Sequence, residues 1–399
     1  MSGAVAAWRS LCGVLPGLII LLLVSGSGAL AQSAGKASAG DVRLFLMAAQ
    51  ANRLDILFSM LDRGIDPNVT DTRGNTGLIM AARNRARAAA DLLLRRGARA
   101  GTANREGWTP LMAAARAKAP EIVRILLARG ADARAVEKRF GRTALHVAAQ
   151  SGEAGAVSLL VGAGSDVNRR DSGSGLTPLM LALGSRAPLR AQAVAELLGA
   201  GASVSLKADD GFTPLMAAVK GGDPLLAKLV ISGGGDVAAR TSDDRSALSV
   251  AARAGRLEMV RLLVGKGAAL NGRPGIITPL GQAVRSGNAS VVKWLLGAGA
   301  KPDDPGKAGK TPLILAAGSR MGETVELLLA AGAMVNGTNA GDGTTALMWA
   351  ANAGDIAIVR RLLRAGARVS IVAKDGWTAI KAAEMAGHEN IAELLRRQI

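Results

Sequence analysis

The sequence is short of the residues on which most site chemistry depends. Its 399 residues include one cysteine, two histidines, four phenylalanines, five tryptophans and no tyrosine. Cys12 stands alone, so the chain can form no internal disulfide. No cluster of cysteine and histidine exists to hold zinc. Aromatic residues make up 2% of the chain, so any interior must be filled by small side chains. Acidic residues are the minority charge, 31 against 49 Lys and Arg, for a net charge of +18. A field of that sign favours an anionic partner. Long apolar runs are also scarce. The one candidate lies within residues 11–24, and ~14 residues fall short of the ~20 that a spanning helix needs.

Small apolar residues at helical spacing are what the chain has in quantity. Residues 107–131 read GWTPLMAAARAKAPEIVRILLARGA. Thr109 is placed to cap a helix, because its hydroxyl can accept a bond from an amide of the first turn. Pro110 stands at the first helical position, where a missing N–H costs nothing. Leu111, Met112, Ala114 and Ala115 give a short apolar face, and Ala119-Pro120 marks a turn. Ile122, Val123, Ile125, Leu126 and Leu127 give a second face. Gly130 suits the left-handed conformation that closes a helix. Two helices this short cannot bury their faces alone, so copies must stack on either side.

The copies are present. The capping position recurs as Thr76, Thr109, Thr143, Thr177, Thr213, Ser246, Thr278, Thr311, Thr345 and Thr378, in steps of 32 to 36 residues. From cap to closing glycine is 21 residues in eight of nine repeats and 24 in the one from Thr177 to Gly201. The connection to the next cap drifts in length. The helical part is fixed and the connecting finger is tolerant, as a one-dimensional stack requires.

These residues resemble the ankyrin-repeat family, with its G-x-T-P-L-H start, paired alanines and L-L-x-x-G-A ending. Gly107-Trp108-Thr109-Pro110-Leu111, Gly141-Arg142-Thr143-Ala144-Leu145-His146, Gly211-Phe212-Thr213-Pro214-Leu215 and Gly376-Trp377-Thr378-Ala379-Ile380 carry the likeness. It implies an all-α solenoid of about eleven helix pairs with short β-hairpin or turn fingers. The domain would run over 41–399, with a divergent capping repeat at 41–70 and ten repeats after it. Arg43 stands in the register of the caps in that first unit. At ~8–10 Å per pair the stack is roughly 100 Å long. Three extra residues within 185–190 should bulge on the side away from the fingers. The triple glycine at 233–235 reads as a loose helix end, and a joint in the stack is expected between Gly233 and Gly275.

Residues 1–31 read as a separate object. Arg9 precedes the apolar run, a Ser-Gly segment breaks it, and Ala29-Leu30-Ala31 gives a small-x-small pattern before Gln32. This is the pattern of a secretory signal peptide cleaved between Ala31 and Gln32. Cleavage would remove Cys12 and lower the net charge to +17, since Arg9 is the only charged residue lost. Residues 32–40 are small and polar, a flexible lead-in. With the Ala/Gly/Arg-rich usage, the expectation is a bacterial chain delivered to the periplasm or secreted.

No catalytic constellation is visible. His146 and His388 sit at repeat-motif positions that bond between neighbouring units. Asp209-Asp210, Asp243-Asp244 and Asp303-Asp304 read as exposed turn residues rather than calcium ligands. Gly309-Lys310-Thr311 matches only the tail of a phosphate loop and lacks a preceding strand. The reading is therefore no enzyme, no cofactor, no metal and no small-molecule substrate.

The resemblance implies a concave surface lined by the residue before each cap and the pair after the alanines. Carried over, the first set includes Trp108, Arg142, Phe212, Arg245, Lys310 and Trp377. The second includes Arg83, Arg116, Lys220, Arg253 and Arg285, and Phe140 joins them at a finger tip. Trp, Phe and Arg are enriched at binding hot spots. Trp294 and Trp349 lie inside helical segments and are assigned to packing. Some of the basic excess has a plainer cause, because Arg95, Arg96, Arg129, Lys266, Arg364, Arg396 and Arg397 fall in last helical turns. The expected function is a non-catalytic, exported protein-binding module with an acidic protein partner, with oxidative-stress protection as a further expectation. The alternatives are a secreted effector of host proteins and an envelope component held to anionic lipid by charge. Nucleic acid is disfavoured, because export removes the usual encounter.

Overall fold

A computed structural model describes residues 37–272, 278–306 and 309–398. The segment read as a signal peptide, with Ala31 and Gln32, lies outside the described residues, as do 273–277 of the expected joint. The described residues form 22 α-helices in eleven successive pairs. They contain no strand. Three isolated bridges, Thr70 with Thr76, Arg240 with Ser246 and Thr338 with Thr345, are what remains of the expected hairpin fingers.

The caps explain where the first helix of each pair begins. In nine of the ten repeats the capping hydroxyl accepts the amide three residues on, as Thr109 does from Met112 at 3.2 Å and Thr278 from Gly281 at 3.0 Å. Thr143 engages His146 instead, whose Nδ1 accepts the Thr143 amide at 3.2 Å and lies 2.9 Å from its hydroxyl. The second helix of each of the first ten pairs ends two residues before a left-handed glycine. Gly130 has φ +77°, and the corresponding glycines fall between +77° and +96°.

First helices stack on first helices and second on second, and the shared interface is the core. Leu111, Met112, Ile122 and Leu126 are buried in the third repeat, as are Leu145, Val157 and Leu160 in the fourth. Phe45 is the one fully buried phenylalanine or tryptophan among the described residues. The fingers are stitched to one another by backbone bonds. Lys138 donates to Glu106 at 2.9 Å, Ser172 to Phe140 at 2.8 Å and Asp209 to Ser174 at 3.0 Å.

Three local expectations are corrected. The first helix, Ala39–Gln50, starts before the expected boundary at Asp41. Ser38 accepts the Asp41 amide at 3.1 Å and Asp41 accepts the Ser38 amide at 3.2 Å, so this reciprocal cap draws 39–40 out of the lead-in. Arg43 consequently lies inside the helix rather than capping it. The glycine triplet is no looser than other ends, since Gly234 closes Pro224–Ser232 at φ +94°. The insertion in the fifth repeat sits at the turn between its helices, away from the fingers as expected. Ser185 donates from its hydroxyl to the Gln150 carbonyl at 2.8 Å.

Candidate functional site

The finger side of the third and fourth repeats holds a cleft of about 780 Å³. Its shape begins with Glu137, whose buried carboxylate accepts the amides of Arg139 at 2.7 Å, Phe140 at 2.8 Å and Arg142 at 3.2 Å. That folds the finger tip tightly and holds Phe140 at the cleft wall. The guanidiniums of Arg139 and Arg142 each lie 4.8 Å from the Phe140 ring centre. One repeat earlier, Asn104 accepts the Trp108 amide at 2.9 Å, and Arg116 lies 5.5 Å from the indole. Val147 and Gln150 close the helical side.

The lining is cationic. Arg105, Arg116, Lys138, Arg139 and Arg142 face Glu106 and Glu137, and Glu137 is already occupied by backbone amides. Cations stacked on rings keep their charge while their side chains are pre-oriented.

Arg142 has a second tie. Its Nε meets Asp171 of the fifth repeat at 2.9 Å, with the Asp171 side chain fully buried and Arg142 17% exposed. Burial pushes the Asp171 carboxyl up, but the Arg142 guanidinium and the amides of Ser174 and Leu176 outweigh it, leaving the group below the ordinary carboxylate value. Arg142 is thus a pillar of the cleft wall, fixed by its own chain. Beside it His146 is fully buried, and burial lowers its pKa to about 4 against the opposing pull of Asp171. It is a neutral capping group at pH 7.

The remaining sequence candidates separate into three settings. Arg83, Arg116, Lys220, Arg253 and Arg285 are exposed at or near the ends of first helices. Phe212 is half-buried against the core. Arg245 is neutralised locally, its guanidinium 2.8 Å from Asp243 and 4.0 Å from Asp210. Arg240 is paired in the same finger, 3.3 Å from Asp244.

Lys310 and Trp377 belong to a second cluster, whose centre is Trp349. The assignment of Trp349 to packing alone is incomplete. Its Nε1 donates to the Thr344 hydroxyl at 2.9 Å, its ring meets Trp377 edge-on at 6.0 Å, and the Lys310 ammonium stands 3.6 Å from its ring centre. A sequence signal for it existed. Trp349 lies four residues after its cap, the register that Val147 occupies in the cleft of the fourth repeat.

Fold and site together define an elongated helical-repeat scaffold with a cationic, aromatic side. A family model described as Ankyrin repeats (3 copies) matches residues 45–136, 129–204, 186–274, 271–339 and 323–398. The chain belongs to the ankyrin-repeat family, whose repeats mediate protein–protein interaction. It is similar to the Ankyrin repeat and KH domain-containing protein mask-1 of Caenorhabditis elegans, 30% identical over 248 residues, covering 62% of this chain and 9% of that protein. It is also similar to Ankyrin repeat and SOCS box protein 6 of Homo sapiens, 38% identical over 107 residues, covering 25% of each. The solved human ASB11 ankyrin repeat domain matches with a TM-score of 0.51 at 25% identity, over 58% of this chain and 98% of that one. The match thus spans under a tenth of the first relative and a quarter of the second.

Proposed function

We propose that this chain is an exported, non-catalytic binding protein that takes an acidic protein partner along its finger and first-helix face. The observation that carries the reading is the cleft between the third and fourth repeats, where one guanidinium lies over Trp108 and two over Phe140. Aromatic and arginine side chains are the ones that dominate binding energy when a partner excludes water from them. The net charge of +18 draws anionic surfaces toward the molecule before contact. The pattern of residues 1–31 supports a periplasmic destination, and protection of an envelope protein under oxidative stress is part of the same reading.

The test is cross-linking and co-purification from bacterial envelope extract, comparing the wild type with the triple variant Arg116→Glu, Arg139→Glu, Arg253→Glu. Arg142 is left in place because it braces the fold. The expected result is an acidic protein captured by the wild type and lost by the variant. An unchanged set of captured proteins would overturn the reading. N-terminal sequencing that begins at Gln32 is the expected result for export, and an intact N-terminus counts against it.

A further inference from the structure

The finger side carries a second aromatic–basic cluster some six repeats beyond the cleft, roughly 60 Å away at ~10 Å per repeat. Its rings are positioned, not merely buried. The indole of Trp349 is fixed by its bond to Thr344 and by Trp377 against its edge. Gly318 makes room for it, since a side-chain carbon there would come within 3.3 Å of the ring. Packing explains these contacts. It does not explain Lys310.

The Lys310 ammonium stands 3.6 Å from the ring centre, and no carboxylate among the described residues forms an ion pair with it. Asp342, the carboxylate that feels its charge, already accepts the amide and hydroxyl of Thr344 at 2.9 and 2.7 Å. An ammonium has three donors. With one face on the indole, it is pre-oriented for an anion on the other. Trp377 beside it is half-buried and presents apolar surface. Between this cluster and the cleft, Arg245 and Arg240 are engaged by their own aspartates.

We propose that Lys310, Trp349 and Trp377 form a second docking site, independent of the cleft, for an acidic peptide segment that carries an apolar side chain. The proposal rests on the reading that this face binds an acidic protein. A carboxylate meets the Lys310 ammonium, and the adjoining apolar side chain lies on the Trp377 ring. Charge complementarity selects this occupant.

The probe is the acetylated and amidated peptide Glu-Glu-Leu-Glu-Glu, titrated calorimetrically into the full chain at low salt with tryptophan fluorescence in parallel. The expected result is two peptides per chain. Lys310→Glu removes one of them, a weakening of about tenfold or more at that site, and abolishes the associated fluorescence change. Lys310→Met, which removes the charge and keeps an unbranched apolar side chain, gives the same loss. Arg139→Glu removes the other peptide. If neither Lys310 variant changes the stoichiometry or the affinity, the proposal is overturned. If Arg139→Glu changes nothing while Lys310→Glu abolishes the single event seen, this site stands and the cleft reading fails.

Discussion

The guanidinium of Arg142, in the finger of the fourth repeat, meets the buried carboxylate of Asp171, in the fifth, at 2.9 Å. The pair joins two repeats at the edge of the candidate cleft, and Asp171 also accepts the amides of Ser174 at 2.9 Å and Leu176 at 3.1 Å. Removing one partner of a buried pair leaves the other uncompensated, at a cost of about 3–5 kcal/mol. Asp171→Ala is expected to lower stability in urea unfolding by about 3 kcal/mol and to weaken peptide binding at the cleft. A loss below about 1 kcal/mol would place the pair among ordinary surface contacts.

His146 makes the stack sensitive to mild acid. Burial lowers its pKa to about 4 in the folded chain, from the ordinary 6.5. Between those values the unfolded chain binds the extra proton, so stability rises with pH across that window. The contribution is complete above about pH 6.5 and is lost as pH falls toward 4, amounting to at most about 3 kcal/mol. Urea midpoints for wild type and His146→Gln, compared at pH 7 and pH 4.5, are expected to show a shallower pH dependence in the variant. Parallel pH profiles would contradict the assignment.

Left-handed residues at the turn between paired helices give a stabilising substitution. Lys118 has φ +56°, a conformation that costs a side-chain-bearing residue about 1 kcal/mol or more. Lys118→Gly is expected to raise stability by about 0.5 kcal/mol, the strain relief being partly offset by the freer unfolded chain. Arg85 has φ +58°, but its Nε donates to the Ala117 carbonyl of the next repeat at 2.5 Å. Arg85→Gly is therefore expected to bring no gain, and the contrast in urea midpoints checks both statements.

Glu137 builds the cleft without facing a ligand. Glu137→Ala orphans three amides at the finger tip, with a cost of about 1–3 kcal/mol. Phe140 and Arg139 lose their fixed positions. Peptide binding at the cleft should fall about tenfold or more, with the Lys310 site unaffected. Equal loss at both sites would indicate a global effect instead.

Much of the fold was legible because its signals are local. A capping hydroxyl, a proline at the first helical position and a closing glycine each act within one turn, so their spacing gives ten of the eleven helix pairs directly. The site was less legible because it is built across repeats. Arg142 reads as a free contact in its own finger, whereas Asp171, 29 residues on, holds it. Arg245 carries its own neutralising Asp243 two residues back. The position of Trp349 inside a helix predicts packing, yet it also meets Lys310 and Trp377 on the finger side. Of these two ion pairs only Arg142 with Asp171 spans repeats, so its signal lies 29 residues apart rather than within one finger.

The glycines that end the second helices are needed for handedness and not for emptiness. A side-chain carbon built at Gly130 meets nothing within 4 Å, and the same holds at Gly64, Gly97, Gly164, Gly201, Gly234, Gly267, Gly299, Gly332 and Gly366. At Gly222, by contrast, the Arg256 guanidinium of the next repeat lies across the site. The row of ten is thus an open margin along the first ten helix pairs. Mirror-image amino acids introduced there by chemical synthesis would adopt the required backbone without strain, so labels or cross-linkers could be threaded down this margin while both candidate clusters stay untouched.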